Sequence, residues 1–168
     1  MKTKEIEFAQ TKNTFWMTCR VETKIHAKPE DIWELLTDAK RFSSWNSTVN
    51  AIDGNIQEGE RICIHVPGTN RTVKPKVSGV VANKSMVWSN GFAPIFKGTR
   101  SFELRQSTNG STEFIMAERF SGLMFALIKN KLPDFKPIFE RYALDLKKEA
   151  EHCSAQDKEK NVEFRMRE

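Results

Sequence analysis

The chain has 168 residues, a formal net charge of +5, and 39% hydrophobic against 29% charged residues. This is an ordinary globular composition with material for one sizeable core. The longest unbroken apolar run, Leu123 to Ile128, is far too short to span a bilayer, so no stable membrane insertion is expected.

The basic residues accompany no nucleic-acid motif, so a solvated basic surface is expected and no nucleic-acid partner. The opening residues Met1 to Glu7 hold no apolar signal core, which implies a cytoplasmic protein. Cys19, Cys63 and Cys153 show no C-x-x-C spacing and read as reduced, buried thiols. Residues 1–14 are polar and unpatterned, and residues 154–168 are dense in charge. Both are expected to be frayed or locally ordered, an N-terminal extension and a C-terminal tail around one domain at 15–153.

Within that domain the first clear signal is period two. Met17, Cys19, Val21, Thr23 and Ile25 alternate with Thr18, Arg20, Glu22 and Lys24, the pattern of a half-buried strand. Pro29 then opens a short helix to Leu36, with Glu30 and Asp31 favourably placed in its first turn. A second short helix is expected around Ala39 to Ser43. Strand-like runs follow at 47–52, 60–66, 72–82, 85–90, 98–106 and 112–120, separated by turn chemistry such as Asp53-Gly54 and Thr108-Asn109-Gly110. Pro75 inside the third run argues for an edge or a bulge.

The last part reads as helical. Pro133 and Pro137 forbid one smooth helix, which leaves a short helix or loop at 122–131 and a long helix at 134–152. Phe135, Phe139, Tyr142, Leu146 and Ala150 make its apolar stripe. Lys136–Glu140, Arg141–Asp145 and Lys147–Glu151 can pair on its outer face. Strand, two short helices, an antiparallel meander and a long final helix make an α+β chain. The helix is the only element long enough to cover the sheet. The expected architecture is a helix-grip fold: a curved antiparallel β-sheet wrapped around the long C-terminal α-helix.

The stretch Ile25-His26-Ala27-Lys28-Pro29-Glu30-Asp31-Ile32-Trp33, then Leu36-Thr37-Asp38 and Phe42-Ser43-Ser44-Trp45-Asn46, resembles the opening of START-like (SRPBCC) proteins of the polyketide cyclase/dehydrase-like branch. Arg100 to Leu104 and Glu118 to Leu123 resemble that family's last hairpin and its lead into the final helix. The resemblance covers roughly residues 17–152. It implies the helix-grip fold with an apolar cavity, in a group that includes lipid carriers, hormone receptors, ubiquinone-binding proteins, chaperone-ATPase activators and some true cyclases.

Three constellations are candidates for function. A three-residue loop with left-handed Gly110 pairs Ser107 with Ser111, and hence Leu104 with Phe114, Phe102 with Met116, and Arg100 with Glu118. The apolar members mark the concave face, so Arg100 and Glu118 point inward as a paired polar anchor. Similar proteins often carry a histidine at the position of Arg100, so family acid/base chemistry does not transfer unchanged. The second constellation is aromatic: Trp33, Phe42, Trp45, Trp88, Phe92, Phe96, Phe102, Phe120, Phe135 and Phe139, with Met116, are expected to line the ligand space. The third is the loop Asn90 to Phe96 with the segment 122–131, expected to border the cavity entrance.

No phosphate loop, nucleophile elbow or histidine-centred metal motif is present, so no cofactor and no metal are expected. The expected function is binding or carriage of a small hydrophobic molecule: a lipid, an isoprenoid or an aromatic polyketide-like compound. The alternative is a cyclase or dehydratase using Glu118 with Arg100 or His65. A second is a protein-interaction module whose interior is filled and whose surface does the work. A monomer or weak dimer is expected.

Overall fold

The computed structural model describes residues 6–68 and 70–165, and side chains as far as residue 156. Met17, Cys19, Val21, Thr23 and Ile25 all turn inward along strand β2, Trp16–Ile25. Before it lies β1, Ile6–Lys12, which pairs antiparallel with β2. Of the two expectations for the N-terminal extension, frayed or locally ordered, residues 6–12 take the ordered one. Ile6 and Phe8 are the half-buried members of an edge strand whose other residues face solvent, too few apolar positions to show in the pattern.

Helix α1 spans Pro29–Thr37 with Pro29 in its first turn, and α2 is a single turn, Phe42–Trp45. Three short strands follow: β3, Ala51–Asp53; β4, Cys63–His65; and β5, Thr72–Val73. They form a small sheet of their own, in the order β3-β4-β5. The run expected at 72–82 is broken at Pro75, whose missing N–H cannot extend a ladder. It resumes as β6, Lys76–Val81, in the main sheet.

Strands β7, Ser85–Phe92, β8, Phe96–Gln106, and β9, Thr112–Ser121, complete the main sheet, whose order is β1-β2-β9-β8-β7-β6. The last hairpin has the expected register: Leu104 faces Phe114, Phe102 faces Met116, and Arg100 faces Glu118. Ser107 N–H donates to Ser111 O at 2.8 Å, and Gly110 takes a φ of 77°. A short helix α3, Leu123–Ile128, then leads to the long helix α4, Lys136–Arg165. Asp134 caps it, its Oδ1 accepting from Lys136 N–H at 3.0 Å. The helix runs through much of the charged segment 154–168, expected to be frayed or locally ordered.

Helix α4 lies against β2 and β1 and buries Phe139, Tyr142, Ala143, Leu146 and Ala150. Its partners on the sheet come in rows. One row runs Met86, Phe102, Met116, Val21, Phe8 across five strands, and the next runs Val77, Trp88, Arg100, Glu118, Cys19, Gln10. Asp145, expected on the outer face of α4, is instead buried. Its Oδ2 accepts from Ser47 N–H at 3.0 Å and from Ser47 Oγ at 2.6 Å, while Arg141 holds its other oxygen at 3.0 Å. This ties the helix to the segment between α2 and β3.

Candidate ligand-binding site

The antiparallel register places Arg100 and Glu118 directly opposite one another on the concave face. Arg100 donates from Nε at 3.0 Å and from its terminal nitrogen at 2.6 Å, both to Glu118 Oε2. The side chains keep 23% and 14% of their exposure, so the pair is withdrawn from water without being sealed off. Burial lowers the pKa of Arg100. The Glu118 charge and hydrogen bond, with a smaller contribution from Tyr142, outweigh that effect and raise it. Phe139 of α4 presents its ring face to the guanidinium, 5.7 Å from centroid to carbon. Next in the row, Cys19 is fully buried. Burial first, then the charges of Glu118 and Asp134, push its thiol up to about 11.

The aromatic candidates divide into two groups around this pair. Phe96 stacks on Phe120 at 6.3 Å, Phe120 on Phe135 at 5.1 Å, and Phe135 meets Phe139 edge-on at 6.2 Å. That half-buried ladder leads from the β7–β8 turn to the guanidinium. The second group is buried: Phe42 against Trp45 at 4.7 Å, Trp88 against Phe102 at 4.8 Å, and Phe114 stacked on Tyr142 at 6.3 Å and 7°. Met116 is buried beside Phe102 in the same row. These rings occupy much of the space between α4 and the concave face. Two candidates lie elsewhere. Trp33 is only partly buried and borders an outer cleft with Thr37, Asn55 and Glu58, because the short α1 turns its inner face over to Ile32, Leu35 and Leu36. Phe92 is 65% exposed at the end of β7, beyond the reach of the helix.

Four buried polar atoms have no hydrogen-bond partner among the described residues: Trp45 Nε1, Trp88 Nε1, Asn46 Nδ2 and Tyr142 Oη. All lie in or beside the second ring group. Trp45 meets Tyr142 edge-on at 5.8 Å, Phe42 touches Trp45, Trp88 and Tyr142, and Asn46 follows Trp45 in the chain. Burial pushes the Tyr142 hydroxyl far above the usual phenol range, against the opposing pull of Arg100. Tyr142 and Phe114 stand on the faces that the spacing assigns to the interior. The expected lining does not include them, nor does it include Asn46. Its burial has no periodic signature, being a cap residue whose Oδ1 accepts from Thr48.

His65 stands apart from this site. It lies in the small sheet, and its Nε2 sits 2.7 Å from Asp53 Oδ2. The expectation that the histidines join no cluster is corrected here. Asp53 and Cys63 are paired across β3 and β4, and Cys63 shares a face with His65 two residues on. Their donor atoms therefore lie within 4.8 Å of one another. These are ligand types that divalent transition metals accept, on a surface where Asp53 is largely exposed.

The loop 90–96 and the segment 122–131 come together as expected. Leu123 N–H donates to Pro94 O and Met124 N–H to Ile95 O, each at 2.9 Å. Gly122, with a φ of 123°, makes this possible, since a Cβ there would lie 2.3 Å from Ile95 O.

Residues 18–151 match a family described as polyketide cyclase/dehydrase and lipid transport. No curated protein sequence matches the chain. Among solved structures, protein MLL2253 from Mesorhizobium loti is 20% identical with a TM-score of 0.61, over 78% of this chain and 94% of that one. A START superfamily protein from Mycobacterium smegmatis is 14% identical with a TM-score of 0.59, over 81% and 98%. CalU16 from Micromonospora echinospora is 13% identical with a TM-score of 0.53, over 90% and 96%. At these identities the likeness is one of fold: the START-like helix grip.

Proposed function

The chain belongs to the polyketide cyclase/dehydrase and lipid-transport family, and from that premise we propose that it binds and carries a small, largely apolar molecule bearing acceptor oxygens. The molecule lies between the concave face and α4. The observation that carries this reading is the set of four buried, unpartnered polar atoms. A buried donor without a partner costs about 1–3 kcal/mol. Three of the four are N–H groups that can only donate, and the fourth is a hydroxyl near Arg100. A ligand with carbonyl or hydroxyl oxygens complements them, and the flanking rings suit a flat or branched hydrocarbon body. Isoprenoid, lipid and aromatic polyketide-like molecules all meet that description. Arg100 and Glu118 orient the polar end beside the Phe96–Phe120–Phe135 ladder.

The enzymatic alternative loses one participant, because His65 pairs with Asp53 in a different sheet from Glu118. A surface role has support of its own, since rings crowd the interior while several large apolar side chains stand exposed at one end. Denaturing mass spectrometry of the purified protein tests carriage directly, with a co-purified apolar oxygenated molecule as the expected result. Displacement of a hydrophobic fluorescent probe by fatty acids, isoprenoids or flat aromatics is the companion measurement. If the native protein neither retains nor takes up any such compound, carriage and catalysis fail together.

A further inference from the structure

Helix α3 buries only Phe125 and turns Leu123, Met124 and Leu127 outward, the reverse of what an amphipathic helix on a globular surface does. Leu127 is 74% exposed and Leu123 60%. The hydrogen bonds from Leu123 and Met124 fasten α3 to the β7–β8 turn, where Phe92 and Ile95 are also exposed. A third bond, from Gly122 N–H to Phe15 O at 3.0 Å, brings in the β1–β2 turn with its exposed Phe15. Six large apolar side chains thus project from three segments at one end of the sheet. Single exposed leucines need no explanation, but a contiguous apolar cap does.

The charge around the cap is of one sign. Segments 8–21, 90–102 and 119–133 contain seven lysines and arginines and no aspartate or glutamate. Arg20 and Arg100 are paired with glutamates, Arg20 with Glu22 two residues along its strand and Arg100 with Glu118 directly across from it. Lys12, Lys97, Arg119, Lys129 and Lys131 have no ion-pair partner among the described residues. Arg119 instead lies over the half-buried ring of Trp16, 4.5 Å from its centroid. The acids flanking α3 in sequence are Glu118, which is paired with Arg100, and Asp134, which shares a cleft with Lys12 and Lys129 and caps α4.

We propose that this end of the molecule is a binding site for an anionic lipid bilayer surface, with the apolar tip seated among the headgroups and the basic rim against the lipid phosphates. Side chains projecting from turn tips suit shallow penetration of a soft interface better than a complementary rigid partner, which calls for a groove or a flat face. A rim in which cations outnumber the single acid, Asp134, suits a surface of uniform negative charge. A tryptophan beneath an arginine is also the kind of amphipathic pair that settles at headgroup depth. The Phe96–Phe120 stack lies directly behind the tip, so docking would set the inner ladder facing the bilayer. The docking itself does not depend on what the interior holds.

Sedimentation with vesicles of phosphatidylcholine alone, and of phosphatidylcholine mixed with phosphatidylglycerol, tests the proposal. The protein is expected to pellet with the mixed vesicles far more than with the neutral ones, and added salt should release it. Leu123→Glu with Leu127→Glu should weaken binding at least about tenfold. Lys129→Gln with Lys131→Gln should weaken it about fivefold for each charge removed at low salt. All four side chains lie at the surface, so both double variants should keep the parent thermal midpoint and the parent affinity for a hydrophobic probe. That retention separates this test from the fate of the carrier reading. Parent protein left in the supernatant with the mixed vesicles would overturn the proposal, as would leucine variants that pellet like the parent. A concentration-dependent dimer abolished by the leucine variants, without vesicle binding, would assign the tip to self-association instead.

Discussion

At the scale of single residues, the Arg100–Glu118 pair was legible because one turn determines it. Given left-handed Gly110 and a three-residue loop, every later pairing follows at period two, and a slip of one residue would have put Phe114 and Met116 beside charged neighbours. Removing either partner leaves the other withdrawn from water and unpaired. Glu118→Gln and Arg100→Met should each cost about 1–3 kcal/mol in urea unfolding, and the double variant should recover much of that. Strictly additive losses would mean that the pair does not interact. Beside it, the Cys19 thiol has a folded-state pKa of about 11, above its unfolded value. Its contribution is fully present below the unfolded pKa and is lost as the pH rises toward 11. Stability should therefore fall across that alkaline range by up to about 3 kcal/mol. Cys19→Ala should start from a lower stability, because it trims a core side chain, and should show a shallower fall. A parallel decline in both proteins would assign the alkaline loss to other groups. What could not be read at this scale is the set of partnerless groups. Nothing in the spacing distinguishes the Trp45 or Trp88 indole from one that has found a carbonyl.

At the scale of elements, long amphipathic signals were readable and short ones were not. Strand β2 repeats its apolar side five times, and α4 carries four turns of core contact. Strand β1 offers only Ile6 and Phe8, yet Phe8 reaches the Phe139 ring at 6.0 Å, so a strand that looks like a polar leader closes the edge of the grip. Pro75 was correctly a warning, but a proline shows where a ladder must break and not which sheet the chain joins next. The small β3-β4-β5 sheet was hidden for that reason. Phe139 touches Arg100, Phe135 and Phe8 at once. Phe139→Ala should cost about 3–5 kcal/mol in urea, and a loss below about 1 kcal/mol would contradict its place at the centre of the helix–sheet contact. Deleting residues 157–168, which follow the last core contact of α4 among the described side chains, should leave the thermal midpoint nearly unchanged. Deleting residues 1–12 should lower it clearly, since it strips β2 of a partner strand. Equal effects would mean that β1 adds nothing to the fold.

At the scale of the whole molecule, the grip architecture followed from the order of elements, because one long helix must cover one curved sheet. How full the grip is did not follow. Pattern reveals which side chains face inward, whereas the remaining volume depends on rotamers and on how closely the helix approaches. Tyr142 distinguishes a binding interior from a plain core. In a plain core its partnerless hydroxyl is only a cost, so Tyr142→Phe should raise stability by about 1 kcal/mol, and no small molecule should matter. In a carrier the same variant should be neutral or stabilised when empty and should gain less from ligand. A compound present at about a hundred times its dissociation constant adds about 2.7 kcal/mol, worth about 5–10 °C in a domain of this size. The expected outcome is a rise of that order for the parent protein with an oxygenated isoprenoid or flat aromatic, and a visibly smaller rise for Tyr142→Phe at the same concentration. Equal rises in the two proteins would place the ligand away from the buried donors. A stabilised variant, with neither protein responding to any compound, would make the ring cluster a core and leave function to the surface.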